Sequence, residues 1–364
     1  MNDEEIRRVL SDDPRGDAER AGLHYVDDRS SGYRRLRCGT GFTFRDDAGR
    51  TVQSPRLRAR FNALAIPPAW EDVWIGRDPR GHLLATGIDD AGRRQYLYHP
   101  QWREIRDAVK FRRMLGFGRL LPRIRTAVRR DLRRDGIERR RVLAAIVRLL
   151  ESSLARIGHD EYAEGNGTYG LATLRKRHVT MADRGTLTIA FTGKSNQDWV
   201  IEVADPRVVS VVGDCMQAPG HELFKYADGG RPRRVSAYDV LGYLGEVSGH
   251  AVHAKDFRTW AGTVLAAKTL DAMRTKRPHV ERKRIIVRTV EQVAEELRNT
   301  AAVCRASYIC PAVLESFDPE LVARSVAAVR KQLPGLRREE ATVLAFLDRC
   351  FAPRDPWIVT ALAA

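Results

Sequence analysis

Four side chains in this sequence are of the types that can transfer a phosphoryl group without a metal ion. They are Arg156, Lys194, Arg258 and Tyr308. Phosphoryl transfer spreads negative charge over the non-bridging oxygens, and positioned cations stabilise that charge. Arginine binds two oxygens with its planar fork and keeps its charge, whereas lysine can give a proton to a leaving alkoxide. A tyrosine phenol can attack phosphorus and hold the phosphate covalently.

Each of these residues also has an ordinary structural interpretation. Tyr308 lies in an apolar stretch, "CRASYICPA", where an aromatic side chain usually packs in the core. Arg156 would fit as the cation at the end of a helix, Lys194 as an exposed turn residue, and Arg258 in a surface salt bridge. Asn299 is available to donate a hydrogen bond to a phosphate oxygen beside the tyrosine. The residue types therefore predict covalent phosphoryl transfer only if the fold brings them together.

The composition favours a polyanionic partner. The 364 residues carry a formal net charge of +16, and 54 of the 63 basic residues are arginine. Such an excess points to nucleic acid first and to an anionic membrane second. Hydrophobic residues make up 43% of the chain, enough for a folded core, and the length suggests two or three domains.

Several classes of function lack their signatures in the sequence. There is no GxxxxGKS/T loop for ATP, no HExxH or GxSxG motif, and no carboxylate cluster typical of a two-metal nuclease. The five cysteines are scattered without a CxxC pair, which favours reduced thiols in the cytosol. The charged N-terminus, "MNDEEIRRVL", is unlike a signal peptide, and no apolar run approaches a membrane span. We expect a cytoplasmic protein that needs no cofactor, metal ion or membrane.

The periodicity of the sequence predicts an α+β protein of two domains. Short alternating runs between His24 and His99, with two copies of the turn sequence "DDAGR", predict a small antiparallel β domain over residues 1–102. The rest of the chain, 103–364, is predicted to be mainly helical. It begins with a basic amphipathic stretch, 103–141, that has 15 basic and 5 acidic residues, a pattern that favours contact with phosphates.

Within the larger domain, a strand region is predicted to carry Lys194. The segments "YGLATL", "TLTIAFT" and "WVIEV" alternate with period two and predict three strands. The last two are joined by "GKSNQD", which puts Lys194 at a hairpin tip. Helices are predicted at these places: about 137–157, closed by Gly158; from Ser236, closed by Gly249; from near Lys255; from a capping box at Thr289 and Gln292; and from Asn299 and Thr300 to before Pro311.

In this order the motifs resemble those of the type IB DNA topoisomerases of the compact bacterial and poxvirus kind. The resemblance covers residues 20–317. "LARIGHDEY" resembles the block with the first catalytic arginine, which matches Arg156, and "FTGKSNQ" resembles the hairpin with the catalytic lysine, which matches Lys194. "KDFRTWAGT" is similar to the signature that contains Arg258, and "NTAAVCRASYICPAV" resembles the terminal block with the nucleophile Tyr308.

The resemblance also implies DNA contacts. "GRRQYLYHP" resembles a strand of the N-terminal domain that reads the major groove, which implies contacts from Gln95, Tyr96 and Tyr98. Tyr162 and Arg305 match further DNA-contacting positions. Many relatives carry histidine where this chain has Asn299, which can donate a hydrogen bond but cannot act as an acid or base.

What the resemblance implies is a DNA topoisomerase that relaxes positive and negative supercoils of double-stranded DNA. Tyr308 would cleave one strand through a 3′-phosphotyrosyl intermediate, the free end would rotate, and the strand would be rejoined without ATP or metal. Arg156, Arg258 and Asn299 would stabilise the transition state, and Lys194 would protonate the 5′-oxygen. The implied fold is that of the tyrosine recombinases and type IB topoisomerases, with a β hairpin region in the catalytic domain. The implied molecule is a monomeric, nucleoid-associated protein that forms a C-shaped clamp around DNA.

Two other functions remain open on the sequence. Tyrosine recombinases share the catalytic fold and the order Arg, Lys, Arg, Tyr, but they usually have an HxxR pair, and here Lys255 stands three residues before Arg258. An architectural DNA-binding protein would need the basic stretch and the β domain but not Tyr308.

Overall fold

The computed structural model describes residues 1–182, 185–276 and 281–351. It is a mixed structure of helices and antiparallel sheets, as the sequence predicts. Contacts divide it into two compact units. Among the described residues, the smaller unit is Asp12–Phe111, and the larger unit combines Met1–Ser11 with residues 112–351. This division falls inside one continuous helix, and the domain boundary at 102/103 stays a prediction.

The first part of the chain alternates short helices with the strands of one sheet. Its elements are α1 (Asp3–Leu10), α2 (Pro14–Arg20), β1 (Gly32–Cys38), β2 (Gly41–Arg45), α3 (Pro55–Ala63), β3 (Glu71–Gly76), β4 (Leu83–Ile88) and β5 (Arg94–Tyr98).

The second part of the chain is mainly helical, with two short sheets. Its elements are α4 (Pro100–Asp131), α5 (Arg139–Ser153), α6 (Asp160–Asn166), β6 (Val179–Ala182), β7 (Thr186–Gly193), β8 (Gln197–Val203), α7 (Pro206–Gln217), β9 (Lys225–Asp228), β10 (Arg231–Arg234), α8 (Ala237–Ser248), α9 (Ala254–Lys276), α10 (Arg282–Leu297), α11 (Ala301–Ser307), α12 (Pro311–Ser316), α13 (Ala323–Gln332) and α14 (Arg338–Cys350).

The smaller unit is built on a five-stranded antiparallel sheet in the order β2-β1-β3-β4-β5. Its core includes Phe44, Val73 and Ile75 from the strands and Phe61 from α3. The sequence did not predict α3, which begins where the Ser54 hydroxyl accepts the amide of Leu57. β5, which contains the predicted DNA-reading residues, is an edge strand that pairs with β4 alone among the described strands.

Both "DDAGR" copies form the predicted turns. In each copy the first aspartate accepts the backbone amide of the arginine four residues later, at 2.9 Å for Asp46 and 2.9 Å for Asp89. The glycines, Gly49 and Gly92, have φ of 75° and 72°, a region that favours glycine. The second copy joins β4 to β5 as a hairpin.

The basic stretch forms the long helix α4 and the start of α5, and many of its cations are paired within the protein. Arg125 is held between Glu151 (2.7 Å) and Glu340 (2.6 Å). Arg119 contacts Asp348 at 2.6 Å, and Arg141 binds Asp214. The prediction that this stretch serves phosphate contact is therefore too broad, because much of its charge stabilises the packing of helices.

Four local predictions were wrong. Helix α5 ends at Ser153 with Leu154 in the left-handed region (φ 59°), not at Gly158. Residues 171–173 form a short 3₁₀ turn rather than a strand, and β6 starts only at Val179. Thr289 does not start a helix, because α10 is continuous and buries it fully. The hairpin of β9 and β10 lies in a region predicted to be helical.

The remaining helix predictions are confirmed. Ser236 caps α8 in a capping box with Asp239, and Gly249 ends that helix in the left-handed region. Helix α9 begins at Ala254, and the Thr300 hydroxyl caps α11. Lys194 lies between β7 and β8, as the hairpin prediction requires.

Candidate active site

Tyr308 lies at the end of α11, where the chain turns into α12. Its amide N–H donates to the carbonyl of Cys304 at 2.9 Å, and Pro311 begins the next helix. The Thr263 hydroxyl donates to the Tyr308 carbonyl at 3.3 Å and accepts the Cys310 amide at 3.1 Å. The half-buried phenol is therefore carried on a backbone that α9 fixes in place.

Helix α9 can approach Tyr308 this closely because it has a glycine at the contact. A Cβ at Gly262 would lie 2.7 Å from the Tyr308 carbonyl oxygen and 3.2 Å from Cδ1 of Leu297. Arg258 lies four residues earlier, on the same face of the helix. The "KDFRTWAGT" segment therefore supplies both a cation and the space for the tyrosine.

Arg258 is buried (3% exposed) and is held by carbonyl groups. Its Nη2 donates to Leu297 O at 2.7 Å, and its Nη1 donates to Leu154 O. The guanidinium carbon is 5.0 Å from the centre of the Tyr308 ring. Its Nε is also buried and has no hydrogen-bond partner within the described residues.

Arg156 lies in a loop just after α5, not in the last turn of that helix as the sequence suggested. The Arg156 carbonyl accepts the Leu171 amide at 2.9 Å. Gly158 is packed against Gly170 so tightly that a Cβ on Gly158 would lie 2.8 Å from the Gly170 Cα. The left-handed Leu154 turns the chain and also presents its carbonyl to Arg258. A fixed loop thus delivers Arg156 beside Arg258.

Asn299 connects Arg156 to the end of α10. Its Oδ1 accepts from Arg156 Nη2 at 2.7 Å, and its Nδ2 donates to Leu297 O at 2.9 Å. The carbonyl of Leu297 thus accepts from both Asn299 and Arg258. An amide has two N–H groups, and the second one of Asn299 forms no hydrogen bond with the described residues.

The two arginines lower the pKa of Tyr308. Burial raises the pKa of the phenol, but the positive charges of Arg258 and Arg156 more than offset it, and the net shift is downward. Burial, with the neighbouring Arg156 charge, lowers the pKa of Arg258 from its very high ordinary value. Arg156, Arg258, Asn299 and Tyr308 thus form one cluster, and its two arginines favour the phenolate form of Tyr308.

Lys194 is exposed at the tip between β7 and β8. It forms no hydrogen bond or ion pair with the part of the chain that the structure describes. The two residues after it, Ser195 and Asn196, have left-handed φ values of 62° and 54°. The structure therefore brings four of the five predicted catalytic residues together and leaves the fifth on a hairpin.

The predicted DNA-contacting residues lie in different settings. Tyr96 and Tyr98 share one face of β5 with stacked rings, 5.9 Å between centres. Gln95 lies on the opposite face, since strand residues alternate, and its amide donates to Asp89 at 2.8 Å. Arg305 is exposed on α11. The side chain of Tyr162, on α6, lies outside the described residues.

Two supporting residues, Gly262 and Thr263, were missed from the sequence. The sequence does show a glycine one turn after Arg258. The sequence alone does not show that this glycine makes room for Tyr308, because that depends on which segment packs against the helix. Among the described residues, no group of three or more His, Cys, Asp or Glu side chains is placed to hold a metal ion. None of the described helices has the length and apolarity that crossing a membrane requires.

Comparison with known proteins gives the family. Residues 99–328 match the family model described as the catalytic core of eukaryotic DNA topoisomerase I, and residues 41–89 match the N-terminal domain of bacterial DNA topoisomerase IB. The chain belongs to the type IB DNA topoisomerases. It is 32% identical to the DNA topoisomerase 1B of Acanthamoeba polyphaga mimivirus over 71% of this chain and 79% of the relative. It is 22% identical to the DNA topoisomerase 1B of vaccinia virus (strain Copenhagen) and to the DNA topoisomerase I of monkeypox virus, in each case over 68% of this chain and 75% of the relative.

Proposed function

We propose that this protein relaxes positive and negative supercoils in double-stranded DNA by cutting and rejoining one strand, with Tyr308 as the nucleophile. The observation that supports the nucleophile is the convergence of Arg156 and Arg258 on the phenol, which lowers its pKa. A phenol of ordinary pKa, about 10, is a poor nucleophile at neutral pH. The two guanidinium groups favour the phenolate.

In the cleavage step, the Tyr308 oxygen attacks a backbone phosphorus as the bond to the 5′-oxygen breaks. The product is a 3′-phosphotyrosyl bond and a strand with a free 5′-hydroxyl. Arg156 and Arg258 bind the non-bridging oxygens, where charge builds up in the transition state. Asn299 orients Arg156 and has one N–H left for the same oxygens. Lys194 gives its proton to the departing 5′-oxygen.

Relaxation follows because the free end can rotate before the 5′-hydroxyl attacks the phosphotyrosine. Each phosphoester bond that breaks is replaced by another, so the strand is resealed without an external energy source. The reaction as written requires neither ATP nor a metal ion.

We further propose that the chain acts as a monomer and closes around duplex DNA as a C-shaped clamp, with the catalytic fold shared by the tyrosine recombinases. Membership of the family supports this, as does the pair of tyrosines on the edge strand β5. Tyr96 is 45% exposed and is free to meet a base edge or a phosphate. Tyr162 and Arg305 are proposed as further contacts, as is Gln95, whose amide also donates to Asp89. The proposed site of action is the nucleoid.

Plasmid relaxation tests the proposed function. Wild-type protein should relax plasmids of either supercoil sign in EDTA without ATP, and Tyr308→Phe should bind DNA equally well but relax neither. A wild-type protein that binds but does not relax plasmid would point to a recombinase that needs its own sites, or to an architectural protein.

A further inference from the structure

Three consecutive residues at the end of α10 each hold a different part of the larger unit. The carbonyl of Leu297 accepts from Arg258 at 2.7 Å, and Asn299 accepts from Arg156 at 2.7 Å. The residue between them, Arg298, reaches the hairpin of Lys194: its Nη1 donates to the carbonyl of Asp198 at 2.7 Å. The end of α10 therefore connects to the hairpin as well as to both arginines.

Arg298 makes a second contact with the hairpin, at the ring of Trp199. The Arg298 guanidinium carbon lies 5.3 Å from the centre of that ring, in a cation–π contact. The Trp199 ring stacks on Phe191 across the hairpin, at 6.2 Å and 6°. It also covers Gly193, where a Cβ would lie 2.9 Å from the Trp199 ring. Gly193 directly precedes Lys194. The Trp199 ring that Arg298 contacts therefore packs against the residue next to the lysine.

The backbone of Arg298 has a conformation that glycine adopts more easily than arginine does. Its φ is 47°, in the left-handed region, at the position that ends α10. Glycine is the usual residue in this conformation because any side chain is strained there. Arg298 occupies this strained position and makes two contacts with the Lys194 hairpin, which indicates that its side chain has a role there.

We propose that Arg298 is a positioning residue that holds the hairpin so that the Lys194 ammonium meets the departing 5′-oxygen. The proposal rests on the function proposed above, in which Lys194 is the general acid. Lys194 needs such a device because it is exposed and has no hydrogen bond or ion pair within the described residues. An exposed arginine would alternatively contact a DNA phosphate directly, and the test separates the two roles.

The test compares two leaving groups at one cleavage site, mapped first with wild-type protein. One duplex has the ordinary phosphodiester, and the other has sulfur as the 5′-bridging atom. A thiolate leaves without a proton, so general-acid catalysis is unnecessary on the second substrate. Single-turnover cleavage is measured for wild type, Arg298→Gly, Lys194→Ala and, as control, Arg288→Ala, which removes an exposed cation from the same helix.

Arg298→Gly should cleave the phosphodiester about tenfold more slowly, a part of the ~10²-fold or more that general-acid catalysis contributes. It should cleave the sulfur substrate within about twofold of wild type. Lys194→Ala should show the same pattern with a larger loss, and Arg288→Ala should match wild type on both substrates. Because glycine relieves the left-handed backbone, which offsets the lost contacts with Asp198 and Trp199, the melting temperature of Arg298→Gly should change little, which separates positioning from a general loss of folding.

The outcomes distinguish the two proposals. If sulfur rescues Lys194→Ala but Arg298→Gly is equally slow on both substrates, or normal on both, Arg298 does not position the acid. Equal slowing with weaker DNA binding would assign Arg298 to a phosphate contact. If sulfur does not rescue Lys194→Ala, the lysine is not the acid, and the proposed roles of both residues are overturned.

Discussion

At the scale of single residues, the arginines beside Tyr308 are held by neutral groups rather than by acids. Arg258 donates to two backbone carbonyls, and Arg156 donates to the amide oxygen of Asn299. Neither forms an ion pair within the described residues. Their positive charge is therefore not cancelled locally and remains available to the phenol and to a phosphate.

Replacing Arg258 with lysine should abolish most of the activity although the charge is kept. A single ammonium group cannot replace a fork that reaches both Leu154 O and Leu297 O and still presents Nε. We expect single-turnover cleavage to fall by about 10²-fold or more, the typical cost of losing one donor to a transition state. Cleavage near the wild-type rate, in a variant with normal DNA binding, would show that the forked contact is unnecessary.

Removing Arg156 should move the pH dependence of cleavage to higher pH. If the phenolate attacks, the rate rises with pH until Tyr308 is ionised, and the lowered pKa places that rise below the ordinary value for tyrosine, 10.0. Without the Arg156 charge the pKa of Tyr308 should rise, so the midpoint of the pH–rate profile of Arg156→Ala should rise too. Arg288→Ala serves as the control. An unchanged midpoint in Arg156→Ala would mean that its charge does not act on the phenol.

The sequence predicted which side chains form the cluster but not how they are held. Arg156, Arg258, Asn299 and Tyr308 were candidates by residue type, and the resemblance of the ordered motifs to the family assigned them to one site. The turn that delivers Arg156 depends on Leu154 with φ 59°, a conformation that leucine rarely adopts and that no local pattern indicates. The link from Asn299 to Arg156 spans 143 positions along the chain, which spacing cannot reveal.

At the scale of elements, the contact between α9 and the turn after α11 sets the position of the nucleophile. Gly262→Ala would force a Cβ to within 2.7 Å of the Tyr308 carbonyl oxygen. We expect the free energy of unfolding to fall by about 1–3 kcal/mol, as in overpacked cores, and cleavage to slow because Tyr308 is displaced.

Gly213→Ala on α7 is the matched control for that variant. A Cβ at Gly213 meets no described atom within 4 Å, so alanine should raise the free energy of unfolding by about 0.5–1 kcal/mol. Urea denaturation and single-turnover cleavage measure both variants. Normal stability and normal cleavage by Gly262→Ala would contradict the close contact.

Elements with strong periodicity or clear caps were predicted, and elements decided by packing were not. Ser236 with Gly249, and Thr300, mark helix ends through local hydrogen bonds. Thr289 and Gln292 have the same local signature, but the buried face of α10 continues through them, and helix packing overrides the cap signal. The hairpin of β9 and β10 is only four residues per strand, too short for its alternation to stand out.

At the scale of the whole molecule, the excess of arginine serves folding as well as DNA. Arg125 is largely buried between Glu151 and Glu340. Burial raises the pKa of the Glu340 carboxyl, but its hydrogen bond and ion pair with Arg125 more than offset this effect, and the net shift of that pKa is downward. Net charge therefore predicted the class of partner, nucleic acid, but the surface that meets DNA cannot be read from counts of basic residues. That distinction depends on which acids the fold brings to each arginine.

Arg125→Met should destabilise the protein because it removes the cation that binds the buried carboxylate of Glu340 and one of the two arginines beside Glu151. The expected loss is about 3–5 kcal/mol in the free energy of unfolding, the usual cost of breaking a buried pair from one side. Arg129→Met, which removes an exposed arginine one turn later on α4, should change it by less than about 0.5 kcal/mol. Urea denaturation compares them, and equal stability of the two variants would contradict a structural role for Arg125.

The most direct test of the central claim is to trap the covalent complex and identify the linked residue. A duplex whose cleaved strand loses a short 5′-hydroxyl fragment prevents rejoining, and peptide mass spectrometry then locates the DNA. Wild-type protein should be joined through a 3′-phosphate to the peptide that contains Tyr308, and Tyr308→Phe should form no adduct while binding the duplex normally. An adduct on another residue, a 5′-phosphate linkage, or an adduct formed by Tyr308→Phe would contradict the account.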